Sequence, residues 1–195
     1  MKALIWKDFY VLWKQMRMVV LILILLSVVG GVFNSVFVTV WCSMLPFTAI
    51  AYDERSHWDQ LAAMMPYSKR EIVLSKYVLG WLSMAAAIAL SLVFQTAAAV
   101  FTHEAPALTT WAVSFLGGVL ALDFTLPMVF RFGVEKGRWG FMIIVFGVAL
   151  LGGAAAGMVE ELPSIPVPAL ALLFVAAVVA TAVSIPLSIK LYQVN

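Results

Sequence analysis

The chain has 195 residues, of which 64% are hydrophobic and 11% are charged, and its mean hydropathy is +1.05. This composition excludes an ordinary water-soluble domain and is typical of an integral membrane protein. The net charge of only +2 argues against a nucleic-acid partner, and the single cysteine, Cys42, has no partner for a disulfide.

The amino-terminal segment, residues 1–16, has helical periodicity. Apolar residues recur at spacings of three and four: Ile5, Phe9, Leu12, Trp13 and Met16. Polar residues fall on the opposite face: Lys7, Asp8, Lys14 and Gln15. We expect an interfacial helix that lies along the inner leaflet before the chain turns into the membrane. The alternative is that the segment extends the first membrane-spanning helix.

Residues 18–52 form an apolar stretch that is too long for one crossing of about 20 residues. Positive clusters flank it on both sides, and such clusters stay in the cytoplasm. The stretch is therefore expected to cross the membrane twice, turning near residues 30–35. Further membrane helices are predicted at residues 72–101, 108–130, 139–158 and 169–189.

All twelve lysine and arginine residues fall on one side of this arrangement. The sequence therefore predicts an all-α membrane protein of six transmembrane helices, a single domain over residues 1–195, with both termini in the cytoplasm. The outer loops carry no lysine or arginine. They include a proline-rich extracellular loop at residues 160–168, and we expect their acidic residues and His103 to form a solvated rim without a metal.

The cytoplasmic loop that begins at Tyr52 is the longest polar stretch. Asp53 and Glu54 are placed to start a short helix, Trp58 and Leu61 give it an apolar side, and Pro66 marks its end. Ser68 and Glu71 then match a capping box that opens the third membrane helix. The loop is either a docking surface for a soluble partner or a solvated connection.

The hairpin at residues 127–138 joins the fourth and fifth helices. Gly133 and Gly137 permit a bend there, and Pro127 permits a kink. Within the membrane, Asp123 is a candidate for the translocation cavity, because an intramembrane carboxylate is costly and often functional. A buried ion pair or a structural hydrogen bond to a neighbour such as Thr125 is equally open. Gln95 and Thr96 are weaker candidates, expected to bond between helices.

Three cytoplasmic segments together resemble a known family. They are MKALIWKDFY at the start, AYDERSHWDQLAAMMPYSKREIVLSKY at residues 51–77, and PMVFRFGVEKGR at residues 127–138. Their common features are the Lys-Asp pair, the Tyr-Asp-Glu triplet, the Trp-Asp pair, a proline before a basic capping turn, and Ser-Lys-Tyr. The chain is similar to small permeases of type 2 ATP-binding-cassette exporters, especially those that export phenol-soluble modulin peptides from Gram-positive bacteria.

The resemblance implies a coupling helix that seats in a groove of a separate ATPase, within a coupling loop at residues 52–71, braced by the amino-terminal helix. The coupling residues would be Asp53, Glu54, Ser56, Trp58, Asp59 and Leu61. It also implies two ATPase subunits and a second permease, identical or not. ATP and Mg would be bound by the ATPase, because no phosphate-binding loop ending in Gly-Lys-Ser/Thr occurs here, so we expect no enzyme and no cofactor on this chain.

The expected function is therefore that of the membrane subunit of an ATP-driven exporter in a bacterial plasma membrane. It would move amphipathic peptides or other hydrophobic compounds by alternating access. The alternative is an ATP-independent channel or holin-like pore. An intramembrane enzyme is not expected, because Asp123 has no catalytic companion at its depth. The cargo and the direction of transport stay open.

Overall fold

The computed structural model describes residues 2–29, 39, 41–102, 108–158 and 167–192. Every regular element within these ranges is an α-helix. In chain order the helices are α1 (Lys2–Val29), α2 (Leu45–Arg55), α3 (Trp58–Met64), α4 (Lys69–Thr102), α5 (Leu108–Met158) and α6 (Val167–Leu191).

Helix α5 consists of two arms that meet at Gly133, whose φ of 80° and ψ of 173° interrupt the helix. Such a conformation is open almost only to glycine. The predicted bend is confirmed at this residue, but the connection is much shorter than residues 131–138. Gly137 has a different role from the one expected. A Cβ there would lie 2.6 Å from Val129 Cγ2, so Gly137 permits the two arms to pack closely.

Three helical stretches among the described residues are long and apolar enough to cross a membrane. They are Lys69–Val93, Trp111–Gly140 and Pro168–Leu191. Their mean hydropathies of 1.7, 1.8 and 2.5 agree with lipid as the surrounding medium. The structure therefore supports an all-α membrane protein.

The amino-terminal segment does not form a separate helix, because α1 runs without interruption from Lys2 to Val29. Leu4 and Leu12 face inward and are at most 7% exposed. Phe9 and Trp13, predicted on the apolar face that lies against the inner leaflet, are 51% and 58% exposed. Asp8 differs from the prediction, which placed it on the opposite polar face: it is 1% exposed, because it has partners inside the protein, as described below.

The main core lies at the end of the bundle where both ends of the described chain meet. It contains residues from four helices and from the position after α6: Leu4, Ala62, Ile72, Val73, Tyr77, Leu122, Leu126 and Tyr192. Phe130, one turn before Gly133, packs edge-on against Tyr192 with ring centroids 5.6 Å apart. The start of α1, the α2–α3–α4 segment, the break in α5 and the end of α6 therefore share one end of the fold.

Candidate functional site

Four charged side chains meet where α1, α2 and α4 come together. Lys76 Nζ of α4 donates to Asp8 Oδ2 of α1 at 2.7 Å and to Asp53 Oδ2 of α2 at 2.6 Å. Lys7 Nζ donates to Asp53 Oδ1 at 2.6 Å and lies 3.0 Å from Asp8 Oδ1. Each lysine thus contacts both carboxylates, and the four formal charges sum to zero. We call these residues the charge cluster.

The charge cluster is largely removed from solvent. The side chains of Asp8 and Lys76 are 2% and 4% exposed, whereas those of Asp53 and Lys7 are 12% and 22% exposed. Ions in such a position are tolerated only when opposite charges and hydrogen bonds satisfy them. Loss of any one of the four leaves a buried charge without full compensation. The cluster therefore specifies how α1, α2 and α4 sit against one another.

The connection from α2 to α4 is compact. Ser56 ends α2, with its main-chain N–H bonded to Tyr52 O at 2.9 Å, and His57 adopts a left-handed conformation with φ of 52°. The seven-residue helix α3 follows at once. The Trp58 ring lies under Lys7, with Nζ 4.2 Å from the ring centroid, and packs against the main core.

The exposed apolar side chains of α3 and of the residue after it lie away from Trp58. Leu61, Met64 and Met65 are 49%, 84% and 42% exposed. Trp58, which the sequence placed on an exposed docking surface, is only half-exposed and inward-facing. The exposed surface of this loop therefore includes an apolar patch of leucine and methionine.

The capping box predicted at the start of α4 is confirmed. Glu71 N–H donates to Ser68 Oγ at 3.2 Å, and Ser68 N–H donates to Glu71 Oε2 at 3.1 Å. These reciprocal bonds satisfy two main-chain donors that a helix start leaves free. They fix the point at which the loop becomes α4, two turns before Lys76.

Glu54 connects the loop to the break in α5. Its Oε2 accepts a hydrogen bond from the main-chain N–H of Val134 at 3.3 Å. Because Gly133 interrupts the helix, Val134 lies in the first turn of the second arm. The positive end of the helix dipole stabilises a carboxylate at this position. The segment predicted to contact an ATPase is thereby bonded directly to the hairpin of α5.

A cleft of about 510 Å³ lies between these elements. Asp53, Glu54 and His57 line one side, and residues 129–134 line another, with Lys76 and Tyr192 completing the wall. The cleft thus brings the ends of α2 and α6, the start of α4 and the break in α5 around one space. Among the described residues, no group of three or more His, Cys, Asp or Glu side chains could hold a metal ion.

Asp123 lies deeper in the bundle and is 4% exposed. Its Oδ2 is hydrogen-bonded to Thr181 Oγ1 of α6 at 2.6 Å. Its main-chain oxygen accepts from Ser184 Oγ at 2.5 Å, and Ser184 in turn contacts Tyr77 OH at 2.6 Å. Asp123 Oδ1 is buried without a hydrogen-bond partner in the described structure. A structural hydrogen bond is thus present, but to Thr181, because Thr125 bonds main-chain oxygens of its own helix.

Comparison with known families decides what kind of membrane protein this is. A family model described as ABC-2 family transporter protein matches residues 3–193. The chain belongs to the ABC-2 transporter family. No curated protein and no solved structure gives a match to it. Members of the ABC-2 family are membrane components of ATP-binding-cassette transporters and are typically not catalytic themselves, so the family implies an ATPase subunit as the partner of this chain.

The coupling residues expected of this ABC-2 chain occupy different environments. Asp53 belongs to the charge cluster, Glu54 bonds Val134, and Ser56 Oγ donates to Asp53 O at 3.3 Å. Leu61 is exposed and Trp58 is half-buried. The side chains of Asp59 and Gln95 lie outside the part of the chain that is described, and the assignment of all six to ATPase coupling stays a prediction.

Other residues of the ABC-2 chain were missed or misassigned from sequence. Lys7 and Asp8 were predicted on the polar face of the amino-terminal helix, and Lys76 was noted only within a motif. A charge at the edge of an apolar segment was a signal that it needs a partner. Thr96 Oγ1 donates to Leu92 O and Val93 O at 2.8 and 2.9 Å. The prediction that it bonds between helices is therefore wrong, since it satisfies itself within α4.

Proposed function

We propose that this ABC-2 chain is the permease of an ATP-driven exporter and that its α2–α3–α4 segment receives the motion of the ATPase. The charge cluster is the observation that carries the proposal. Asp53, near the end of α2, and Lys76, near the start of α4, are paired with Lys7 and Asp8 of α1, respectively. A segment held this firmly can pass a displacement to the membrane helices.

The surface available to an ATPase is the outer side of α3. Leu61, Met64 and Met65 project there, and flexible methionines suit a recessed apolar site on a partner. In this arrangement Asp53 stabilises the loop that makes the contact. Glu54 transmits the motion of the loop to the second arm of α5 through its hydrogen bond with Val134. Of the six coupling residues, Leu61 is thus proposed to contact the ATPase, Asp53 to support this contact and Glu54 to transmit the motion.

Six crossings with cytoplasmic termini are part of the same proposal. Leu4 and Tyr192 belong to one core cluster, so the two ends of the described chain share a side. The basic residues Lys7, Arg55, Arg131 and Lys190 belong to the segments at that same end, as the positive-inside rule requires of a cytoplasmic face. An even number of crossings agrees with both observations.

A second permease copy and an alternating-access cavity complete the proposal. Only 11% of the apolar stretch in α6 is buried within one copy, and Leu172, Val175 and Val179 are all more than half exposed. Lipid covers part of this surface, and a second copy is proposed to cover the rest. Asp123 would face a cavity only in a conformation in which α5 and α6 separate.

The proposed setting is a bacterial plasma membrane, and the proposed cargo is an amphipathic peptide or another hydrophobic compound. An intramembrane carboxylate suits cargo that carries a positive charge. Uptake of such a peptide into inside-out vesicles, measured with and without ATP, tests both cargo and direction. Passage that does not depend on ATP would favour the alternative of a channel or pore.

Co-purification with the ATPase tests the docking surface. We expect the double variant Leu61→Ala, Met64→Ala to lose most of the bound ATPase while staying folded, because the two side chains are exposed. The matched control is Trp6→Ala, which removes an equally exposed apolar side chain, 74% exposed, at the same end of the fold. Full retention of the ATPase by the double variant would exclude α3 as the docking surface.

A further inference from the structure

The hydroxyl of Thr181 has two short contacts but only one proton. Its Oγ1 lies 2.6 Å from Asp123 Oδ2 and 2.9 Å from the main-chain oxygen of Ala177. The main-chain oxygen can only accept, and so can both oxygens of an ionised carboxylate. If Asp123 is ionised, Thr181 cannot donate fully to both. If Asp123 carries a proton on Oδ2, it donates to Thr181 and Thr181 donates to Ala177, so both contacts are hydrogen bonds.

The neighbouring hydroxyls offer Asp123 no further proton. Ser184 must donate to the main-chain oxygen of Asp123, which can only accept. Tyr77 OH, 2.6 Å from Ser184 Oγ, then donates to Ser184, and Ser188 Oγ donates to Tyr77 at 2.8 Å. The hydroxyl protons of Ser184, Tyr77 and Ser188 are thereby all assigned. None of them reaches Asp123 Oδ1, which has no hydrogen-bond partner in the described structure.

Among the described residues, the positively charged side chains on the helices around Asp123 either pair with other carboxylates or lie exposed at other positions of those helices. On α4, Lys76 Nζ is bonded to Asp8 and Asp53, and Tyr77 reaches Asp123 only through Ser184. On α5, Arg131 is exposed two turns further on and lies beside Phe132. On α6, Lys190 is exposed at the far end. An ionised Asp123 would therefore be a buried charge in the membrane without a described counter-ion, which is strongly disfavoured.

From this arrangement we infer that Asp123 is an intramembrane proton-binding site, with its carboxyl group holding a proton on Oδ2 while α5 and α6 are packed together. The ligand is a proton, which needs no cavity. Thr181 is the residue that positions it. When water enters between α5 and α6, the acid can release the proton, and the resulting carboxylate then opposes repacking of the two helices. The inference goes beyond the exporter proposal and does not depend on the ATPase.

Infrared spectroscopy of the full chain in lipid nanodiscs tests the assignment, because a carboxylic acid and a carboxylate have separate C=O stretching bands. At neutral pH we expect an acid band that disappears in Asp123→Asn. Thr181→Val removes the hydroxyl that the acid bonds, and it should shift the band without abolishing it. The matched control is Glu135→Gln, an exposed carboxylate on the same helix, which should leave the band unchanged.

The stability of Asp123→Asn gives a second readout. The amide N–H can donate to Thr181 as the acid does, so we expect a folded chain with an unchanged unfolding midpoint. Absence of an acid band from the natural protein at neutral pH would overturn the proposal, and a water or cation would then have to cover Oδ1. Failure of Asp123→Asn to fold would overturn it as well. Either failure leaves the exporter proposal standing, because neither measurement involves ATP.

Discussion

Lys76 Nζ lies 2.6 Å from Asp53 Oδ2, so the residue that leads out of the loop is bonded to the residue that leads into it. This contact joins the end of α2 directly to the start of α4. The same ammonium bonds Asp8 of α1 at 2.7 Å. Displacement of the loop must therefore move α1 and α4 together or break buried ion pairs.

Replacing Lys76 by Met should destabilise the fold strongly. Asp8 and Asp53 would remain buried with only Lys7 to compensate them, and removal of one partner from a buried pair costs on the order of 3 kcal/mol or more. Thermal unfolding in detergent measures the change. Lys69→Met, an exposed lysine in the first turn of the same helix, is the control and should change stability by less than about 0.5 kcal/mol. Equal unfolding midpoints for the two variants would contradict the role assigned to the cluster.

A double-mutant cycle on Lys76 and Asp53 should show strong coupling. The variants Lys76→Met, Asp53→Asn and their combination should give an interaction energy of about 1–3 kcal/mol, as residues in one buried network do. Unfolding free energies of the three variants supply the measurement. Additive effects would mean that the two side chains do not interact in the folded protein.

The Tyr77 hydroxyl should contribute to the packing of α4 on α6. Tyr77→Phe removes a group that lies between Ser184 and Ser188, and loss of such buried hydrogen bonds costs about 1–3 kcal/mol. Tyr10→Phe, at a position that is 66% exposed, is the matched control and should be neutral. A neutral Tyr77→Phe would show that Ser184 and Ser188 satisfy each other without the phenol.

Two glycines of α5 should respond oppositely to the same substitution. Gly137→Ala places a Cβ 2.6 Å from Val129 Cγ2, and such overpacking costs about 1–3 kcal/mol. Gly117→Ala meets no atom within 4 Å and should be neutral or stabilise the helix by up to about 1 kcal/mol. Unfolding midpoints of the two variants decide the matter. A tolerated Gly137→Ala would mean that the two arms are not in close contact at this point.

Local features of the chain were predictable because they depend on neighbours in sequence. The capping box of Ser68 and Glu71 spans three positions, and the break at Gly133 follows from the backbone freedom of that residue. The helical, membrane-embedded character of the chain follows from the length of its apolar runs. Each of these signals lies within a single segment.

The charge cluster could not be derived from the sequence, because its members are far apart along the chain. Periodicity placed Asp8 on an outer polar face, although its pairing with Lys76, 68 positions later, allows it to lie inside. Thr181 is likewise 58 positions from Asp123, and no local pattern relates the two. Hydrophobic periodicity assumes that charges point outward, and that assumption fails where charges neutralise one another.

The separation between these partners also sets an order of synthesis. Lys7 and Asp8 leave the ribosome 46 positions before Asp53 and 68 before Lys76, respectively. Until the first turns of α4 have been made, the two charges at the start of the protein have no complete set of partners. Final placement of α1 must therefore wait for the start of α4, so we expect α1, α2, α3 and the start of α4 to assemble as a group and not one after another.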